Sequence, residues 1–311
     1  HHFEFLEQTI ILGCRVGISL FPEDGQDAEA ILSQADSALY EAKKRPNGVA
    51  FCNKQQALHN KRRLVIEQGL RKALVDNVVE QYQLFAVYQP LIILPSQELA
   101  GFEALMRWQH PEFGMISPAE FIPIAENTGL IFELSRWMLQ TVSQQLVRWH
   151  EQHFDFKRVS VNLSALELMN INLADDLLAV ITATGAMAIP EQSIEILHKL
   201  IEADIHVAID DFGTGYSSLA YLKSLPATML KIDQSFIQNL IHSAEDQAVV
   251  KAVINMAHSL GKCVTAEGVE LQDQLDFLIE HHCDVAQGYY FSKPMNADDA
   301  YHKYAVITNS M

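Results

Sequence analysis

Strands and helices alternate along most of this chain, to judge from the spacing of its apolar residues. From Phe85 onward, short apolar runs alternate with longer segments in which apolar residues recur every three or four positions. The first pattern is typical of buried strands and the second of amphipathic helices. Because repeated strand and helix alternation indicates a parallel sheet with helical crossovers, the predicted fold class is α/β. The number of elements favours a closed, TIM-like (β/α)8 barrel.

Seven barrel strands are predicted, one fewer than such a barrel needs. They span residues 85–94, 98–108, 158–163, 206–211, 229–233, 263–268 and 285–291. The gap follows the third strand, where the predicted helices 173–184 and 191–204 are separated only by Gly185–Pro190. Each crossover must return to the sheet. Either the protein therefore carries a deletion between Gly185 and Ala186, or the sequence lacks a segment of the natural protein there.

The residues before the barrel have a different pattern. Thr9–Phe21 alternates like a strand, Pro22–Gly25 is typical of a turn, and Ala28–Lys44 places apolar residues on one helical face. Lys54–Asn77 is charged and helical, which suits a connecting helix. We therefore expect three parts, which are a small α/β segment over 1–53, a connecting helix over 54–80 and the barrel over 81–311.

The amino-acid composition limits the kinds of molecule the protein can bind and the cellular compartment in which it is expected. The 311 residues include 39 acidic and 22 basic ones, and the formal charge is -17. This charge argues against a nucleic-acid duplex as partner, because duplex binding depends on Lys and Arg. The four cysteines show neither C-x-x-C spacing nor a disulfide framework, as expected of reduced thiols in a cytoplasmic protein. No apolar run approaches the roughly 18 residues of a membrane span. We expect no membrane segment within the sequence, and tethering through an upstream segment stays open.

Polar side chains stand at the C-terminal ends of most predicted strands, where barrel enzymes assemble their active sites. They are Glu103, Asn162, Asp210, Asp211, Lys231, Asp233, Glu267, Glu270 and Gln287. Any one of them alone is more often a helix cap or a solvated group, but their shared placement predicts one site. Oxygen ligands without His or Cys suit Mg2+ or Mn2+ better than Zn2+.

The same residues suggest the chemistry. Two adjacent carboxylates, Asp210 and Asp211, can spread around two ions at a strand end. A two-metal site activates water for in-line displacement at phosphorus. Lys231 would place a compact positive charge beside that water or the phosphate. Glu267 would serve as the base or as a further ligand, and the residue types do not separate those roles.

Six segments resemble the successive motifs of EAL domains. They are Gly101–Trp108, Val161–Ser164, Ile209–Leu219, Leu230–Asp233, Ala266–Glu270 and Gln287–Pro294, in the order of the family. The similarity runs from about Leu84 to Met295. Before it, Cys14–Gly25 and Ala35–Lys43 resemble the C-terminal third of a GGDEF domain, whose Gly-Gly-Asp/Glu-Glu-Phe signature is absent.

The resemblance implies a metal-dependent phosphodiesterase that hydrolyses cyclic di-GMP to linear pGpG in bacterial second-messenger signalling and works as a homodimer. It implies metal ligation by Glu103, Asn162, Asp210, Asp211 and Glu267, and catalysis by Lys231, Glu267, Glu103 and Asp210. It further implies contacts to the dinucleotide from Gln89, Arg107, Gln287 and Pro294. Gly213, Gly215 and Glu270 match the family's lid loop and a residue that supports it.

One departure from the family pattern leaves a second function open. EAL enzymes carry on strand four a Leu-Glu-Leu-Glu-hydrophobic-Thr-Glu type of segment with a metal ligand, which would fall at the Gly185–Ala186 junction. Loss of that ligand would leave a catalytically inactive sensor that binds cyclic di-GMP. We favour the enzyme because the other catalytic positions are present. A smaller departure is Leu166–Glu167, where the resemblance implies Gln or Arg at one position.

Overall fold

The fold was obtained as a computed structural model. It describes residues 2–5, 8–11, 14–43, 48–52, 54–75, 83–94, 96–164, 166–167, 183–184, 208–212 and 227–308. The chain divides into two compact units, residues 1–70 and residues 71–311. Among the described residues, no helix combines the length and the apolar character needed to cross a membrane.

The first unit is a small α/β segment. Its elements are β1 (His2–Phe5), β2 (Gln8–Ile11), β3 (Val16–Ile18), α1 (Ala28–Ala42), β4 (Val49–Phe51) and the start of α2 (Lys54–Val75). β1 and β2 form an antiparallel pair, whereas β3 and β4 are parallel. A parallel pair needs a crossover connection, and α1 supplies it. Asp27 caps this helix by accepting a hydrogen bond from the backbone N of Ala30 at 2.8 Å.

The second unit contains the barrel. Its elements are β5 (Gln83–Ile93), β6 (Leu99–His110), β7 (Gly114–Ile116), α3 (Pro118–Thr128), α4 (Ile131–Glu151), β8 (Val159–Asn162), β9 (Ala183–Thr184), β10 (Ala208–Phe212), β11 (Met229–Ile232), α5 (Gln234–Gln238), α6 (Ala244–Ser259), β12 (Cys263–Ala266), α7 (Gln272–Glu280), β13 (Val285–Ala286) and α8 (Ala297–Thr308). The strands pair in the order β5, β6, β8, β9, β10, β11, β12, β13 and back to β5. The predicted TIM-like α/β fold is therefore confirmed.

The first strand of this ring runs against the others. β5 is antiparallel to both of its neighbours, β6 and β13, while the remaining ring pairs are parallel. The cause is the connection to β6, which is a short turn closed by a hydrogen bond from Ile93 N to Glu98 O at 2.9 Å. So short a connection cannot return the chain to the same end of the sheet. The all-parallel order expected from the alternation is wrong at this strand.

The strand that the sequence pattern lacked is β9. Ala183 pairs with Val161 of β8, and Thr184 pairs with Asn162 of β8 and Ala208 of β10. These two residues had been assigned to the end of the predicted helix 173–184, and that assignment is wrong for them. The exposed backbone groups of β8 and β10 favour a strand partner over the local helical pattern. Residues 173–182 and the predicted helix 191–204 lie outside the described residues.

Side chains of β5 and β6 point alternately to the hydrophobic core and to the inside of the ring. Neighbouring residues of a strand point to opposite faces. Tyr88 and Phe102 pack on Trp149 of α4, with ring centroids 4.8 and 5.5 Å away. Their neighbours Gln89 and Glu103 lie opposite each other in the register of the two strands. Both are buried polar residues on the inner face. Aromatic packing outside the ring therefore fixes the position of polar groups inside it.

Candidate active site

Three carboxylates converge on one lysine inside the ring. Lys231 Nζ on β11 lies 3.1 Å from Glu103 Oε1, 3.0 Å from Asp210 Oδ2 and 2.5 Å from Glu267 Oε1. The acids come from β6, from β10 and from the residue that follows β12. One oxygen from each of the three lies within 4.8 Å of the others. The structure thus brings together the four residues predicted to be catalytic.

Glu103 accepts hydrogen bonds from two neighbouring amide side chains as well as from Lys231. Asn162 Nδ2 donates to its Oε1 at 2.8 Å, and Gln287 Nε2 donates to its Oε2 at 2.6 Å. Burial alone would raise the pKa of Glu103, but the charge of Lys231 and the hydrogen bonds from Gln287, Asn162 and Lys231 outweigh it and lower the pKa. Glu103 is therefore ionised at neutral pH.

Glu267 and Lys231 respond differently to the same surroundings. Burial raises the pKa of Glu267 to about 8, against the effect of Lys231 and with help from the charges of Glu103 and Asp210. Burial lowers the pKa of Lys231, but the three carboxylates raise it well above its usual range. Like charges crowded in this way favour a bound cation. Because the donors are hard oxygens within reach of one point, they fit a divalent metal ion.

The predicted substrate contacts lie around this cluster. Gln89 is buried, and its Oε1 accepts a hydrogen bond from Gln287 Nε2 at 2.8 Å while its Nε2 donates to Ser292 O at 3.2 Å. Pro294 adjoins Met295, which pairs with Tyr88 of β5 through backbone hydrogen bonds. Gln89 and Gln287 therefore link Glu103 to the 288–295 segment, a connection that sequence reasoning missed because it depends on the inverted β5.

Arg107 lies in a neighbouring cavity of about 350 Å3. The cavity is bounded by β6, α3, α4 and the end of β8, and both Asn162 and Asp210 reach into it. Ligand cavities typically have about 300 to 1,000 Å3. Glu126, Ser135 and Ser164 also line this cavity, although no sequence pattern identified them. A cavity beside the carboxylates can hold part of a bound molecule while its reacting group lies at the cluster.

The other residues predicted to belong to the site either make hydrogen bonds outside the acid cluster or are not fully described by the structure. Asp211 is on β10, but its side chain lies outside the described part of the structure, as do Gly213 and Gly215. Glu270 is exposed, and its backbone N donates to Gln274 Oε1 at 2.8 Å. Asp233 caps α5 by accepting from Ser235 N at 3.0 Å, which is the ordinary capping role. The roles predicted for Asp211, Glu270 and the two glycines stay predictions.

Comparison with known proteins gives two matching families. The sequence profile of the EAL domain matches residues 68–294, and that of the diguanylate cyclase GGDEF domain matches residues 2–48. The bifunctional diguanylate cyclase/cyclic di-GMP phosphodiesterase MucR of Pseudomonas aeruginosa is 36% identical over 312 residues, covering 95% of this chain and 45% of MucR. The cyclic di-GMP phosphodiesterase PdeR of Escherichia coli is 35% identical over 304 residues, covering 93% of this chain and 45% of PdeR. The chain thus spans less than half the length of these relatives.

Solved structures of EAL proteins are similar to the structure of this chain. The phosphodiesterase PaMucR in its c-di-GMP complex matches with a TM-score of 0.70 and 36% identity, over 76% of this chain and 99% of that one. The EAL enzyme Bd1971 in its cAMP- and cyclic-di-GMP-bound form matches with a TM-score of 0.69 and 28% identity, over 79% of this chain and 69% of that one.

Proposed function

The chain belongs to the EAL domain family, and we propose that it is a phosphodiesterase that hydrolyses cyclic di-GMP to linear pGpG in bacterial second-messenger signalling. The relatives MucR and PdeR carry cyclic di-GMP phosphodiesterase in their names. The observation that carries the proposal is the convergence of Glu103, Asp210 and Glu267 on Lys231 beside a cavity. With divalent cations held by the carboxylates, such a cluster would suit the stabilisation of negative charge at phosphorus.

Mg2+ or Mn2+ is the proposed cofactor, with two ions bound. Glu103, Asn162, Asp210, Asp211 and Glu267 would hold them. When bound, divalent cations supply Lewis-acid stabilisation of charge on the phosphate oxygens and promote ionisation of water. The donor set supports this assignment, because carboxylate and amide oxygens without His or Cys are the ligands such cations prefer.

The chain's own residues would orient the reacting groups. Three carboxylates hold Lys231 Nζ in place, so its charge faces a phosphate or a water molecule at the cluster. Glu267 Oε1 lies 2.5 Å from Lys231 Nζ at the cluster, and in its ionised form it would take the proton of the attacking water. The water oxygen forms a bond to phosphorus, and the bond from phosphorus to the 3′ oxygen breaks. That oxygen gains a proton and leaves as a hydroxyl, so the proton taken from the water is returned overall. Arg107 and Gln287 would contact the dinucleotide, together with Gln89 and Pro294.

One observation favours a second candidate, a sensor that binds cyclic di-GMP without cleaving it. The strand between β8 and β10 is β9, and its two residues, Ala183 and Thr184, carry no carboxylate. The family pattern implies a metal ligand on this strand. If the strand as it stands is the whole of the natural one, the site has one acid fewer than an EAL enzyme, and the lost charge would weaken cation binding.

Turnover and binding measurements separate the two candidates. The purified chain is incubated with cyclic di-GMP and Mg2+ or Mn2+, and products are resolved by chromatography. Appearance of pGpG that is abolished by EDTA and by Glu103→Ala supports the enzyme. Glu98→Ala is the matched control, because Glu98 is exposed and lies before β6. Tight nucleotide binding without turnover at saturating metal supports the sensor.

Two further points belong to the same proposal. We expect a homodimer, which light scattering of the purified chain would test, and a cytoplasmic location. Sequencing the gene across Gly185 and Ala186 shows whether a strand-four segment is encoded there. A segment that restores the glutamate would favour the enzyme, and its absence would favour the sensor.

A further inference from the structure

A buried carboxyl group lies behind the candidate site, on the turn that follows β8. Glu167 is 2% exposed. Its Oε2 accepts two hydrogen bonds, from Ser135 Oγ at 2.8 Å and from Ser164 N at 2.8 Å. Ser135 belongs to α4, and Ser164 comes two residues after the end of β8. One carboxylate oxygen thus joins a helix to the end of a barrel strand.

The same turn is held from a second side. Ser164 Oγ donates a hydrogen bond to Glu126 Oε1 of α3 at 2.6 Å. The last residue of β8 is Asn162, whose Nδ2 donates to Glu103 Oε1 at 2.8 Å. Hydrogen bonds connect α4 to Glu167 and Glu167 to Ser164. The backbone then leads from Ser164 to Asn162, which donates a hydrogen bond to the acid cluster.

We propose that Glu167 is a positioning residue of the candidate site, which ties the turn after β8 to α4 and thereby sets the position of Asn162. Its effect on turnover depends on Asn162 serving the phosphodiesterase, so the inference rests on the proposed function. Groups behind metal ligands typically change metal affinity or activity by about 10- to 100-fold when they are removed.

Burying a carboxyl group costs free energy, so its presence at this position argues that the hydrogen bonds it accepts stabilise the turn. Burial raises the pKa of Glu167 to about 7, the hydrogen bonds from Ser164 and Ser135 lower it, and the charge of Glu126 raises it further. A buried charge is tolerated only when it is hydrogen-bonded. Both donors would lose their acceptor if an apolar residue stood here, whereas the amide oxygen of glutamine could accept from both.

Three substitutions test the inference. Glu167→Leu removes the acceptor, Glu167→Gln keeps one, and Ser135→Ala removes one donor. Mn2+ affinity is measured by titration calorimetry, and kcat and KM for cyclic di-GMP are measured separately. We expect Glu167→Leu to lower kcat and Mn2+ affinity by about tenfold or more with little change in KM, and Glu167→Gln to restore most of both. Glu133→Leu, at an exposed position of α4, should leave both unchanged.

The outcomes decide the matter even if one variant misfolds. Circular dichroism shows whether Glu167→Leu is folded, and if it is not, Ser135→Ala decides, with a smaller loss in the same direction expected. Folded variants with wild-type kcat and Mn2+ affinity would overturn the inference. If the wild-type chain shows no turnover at all, the proposed function fails, while the Mn2+ affinities still decide whether Glu167 positions the metal ligand.

Discussion

Replacing Lys231 by methionine tests whether the acid cluster is held together by charge. The Lys231 side chain is 5% exposed and lies within 3.1 Å of three carboxylates. Methionine has a similar length and no charge. Lys231→Met therefore leaves the volume nearly filled but removes the cation that offsets the repulsion among Glu103, Asp210 and Glu267.

The size of the effect follows from the burial of the pairs. Removing one partner of a buried ion pair costs about 3–5 kcal/mol, because the other charge is left without compensation. Glu267 already has a raised pKa and can take up a proton, which limits the repulsion. We expect a loss of about 3–5 kcal/mol without metal. At about 2–4 °C per kcal/mol for a domain of this size, the Tm falls by roughly 6–20 °C.

Thermal unfolding followed by circular dichroism in EDTA measures this loss. Lys157→Met is the matched control, because Lys157 pairs with Asp155 at 2.5 Å but its side chain is 52% exposed. A surface pair contributes about 0–1 kcal/mol, so the control should shift Tm little. Saturating Mn2+ should restore part of the stability of Lys231→Met, since a ligand at about 100 times its Kd stabilises by about 2.7 kcal/mol. A Lys231→Met shift no larger than that of the control would refute the reasoning.

Three further predictions concern pH, a strand contact and a thiol. Burial raises the pKa of Glu167 from 4.5 to about 7. Between these two pH values, Glu167 keeps its proton in the folded chain but has lost it in the unfolded chain. Stability is then lost as pH rises through that window, by at most about 3.4 kcal/mol, and Glu167→Gln should raise the urea midpoint at pH 8 but not below pH 5. Gly101 has φ 149°, and a Cβ there would lie 2.4 Å from Arg158 O. Gly101→Ala should therefore cost more than about 2 kcal/mol in urea unfolding. Burial raises the pKa of the Cys283 thiol to about 12, so iodoacetamide should label Cys14 in the folded chain but Cys283 only after denaturation, as read by mass spectrometry.

Each of these predictions has an outcome that contradicts it. Equal urea midpoints of wild type and Glu167→Gln at pH 8 would show that the buried carboxyl group is not penalised. Gly114→Ala is the control for Gly101→Ala, because Gly114 also has a positive φ but no atom lies within 4 Å of an added Cβ. Similar losses for both would mean that the contact with Arg158 is unimportant. Labelling of Cys283 at the rate of Cys14 would contradict its burial.

The convergence of the acids could be predicted from the sequence because it depends on one geometric rule. Parallel barrel strands end at one rim, so Asp210, Lys231 and Glu267 had to be neighbours wherever their strands were placed correctly. The rule needs no knowledge of side-chain contacts. The inverted β5 follows another local rule, since its short turn to β6 excludes a parallel pair.

Other features depend on contacts between distant parts of the chain. Ala183 and Thr184 continue a helical pattern in sequence, and only the unpaired edges of β8 and β10 make them a strand. Glu167 had drawn notice only as a departure from a family pattern. Its acceptor role depends on Ser135, which is 32 residues away on another element.

The charges at the site indicate how two cations could share it. Three carboxylates and the ammonium of Lys231 carry a formal charge of minus two when Glu267 is ionised, which one divalent cation balances. A second cation needs further negative charge, because cation affinity rises with the number of charged ligands. Asp211 and the phosphates of the dinucleotide are two groups that could supply it. The phosphates of a bound dinucleotide would therefore raise the affinity of the site for the second cation.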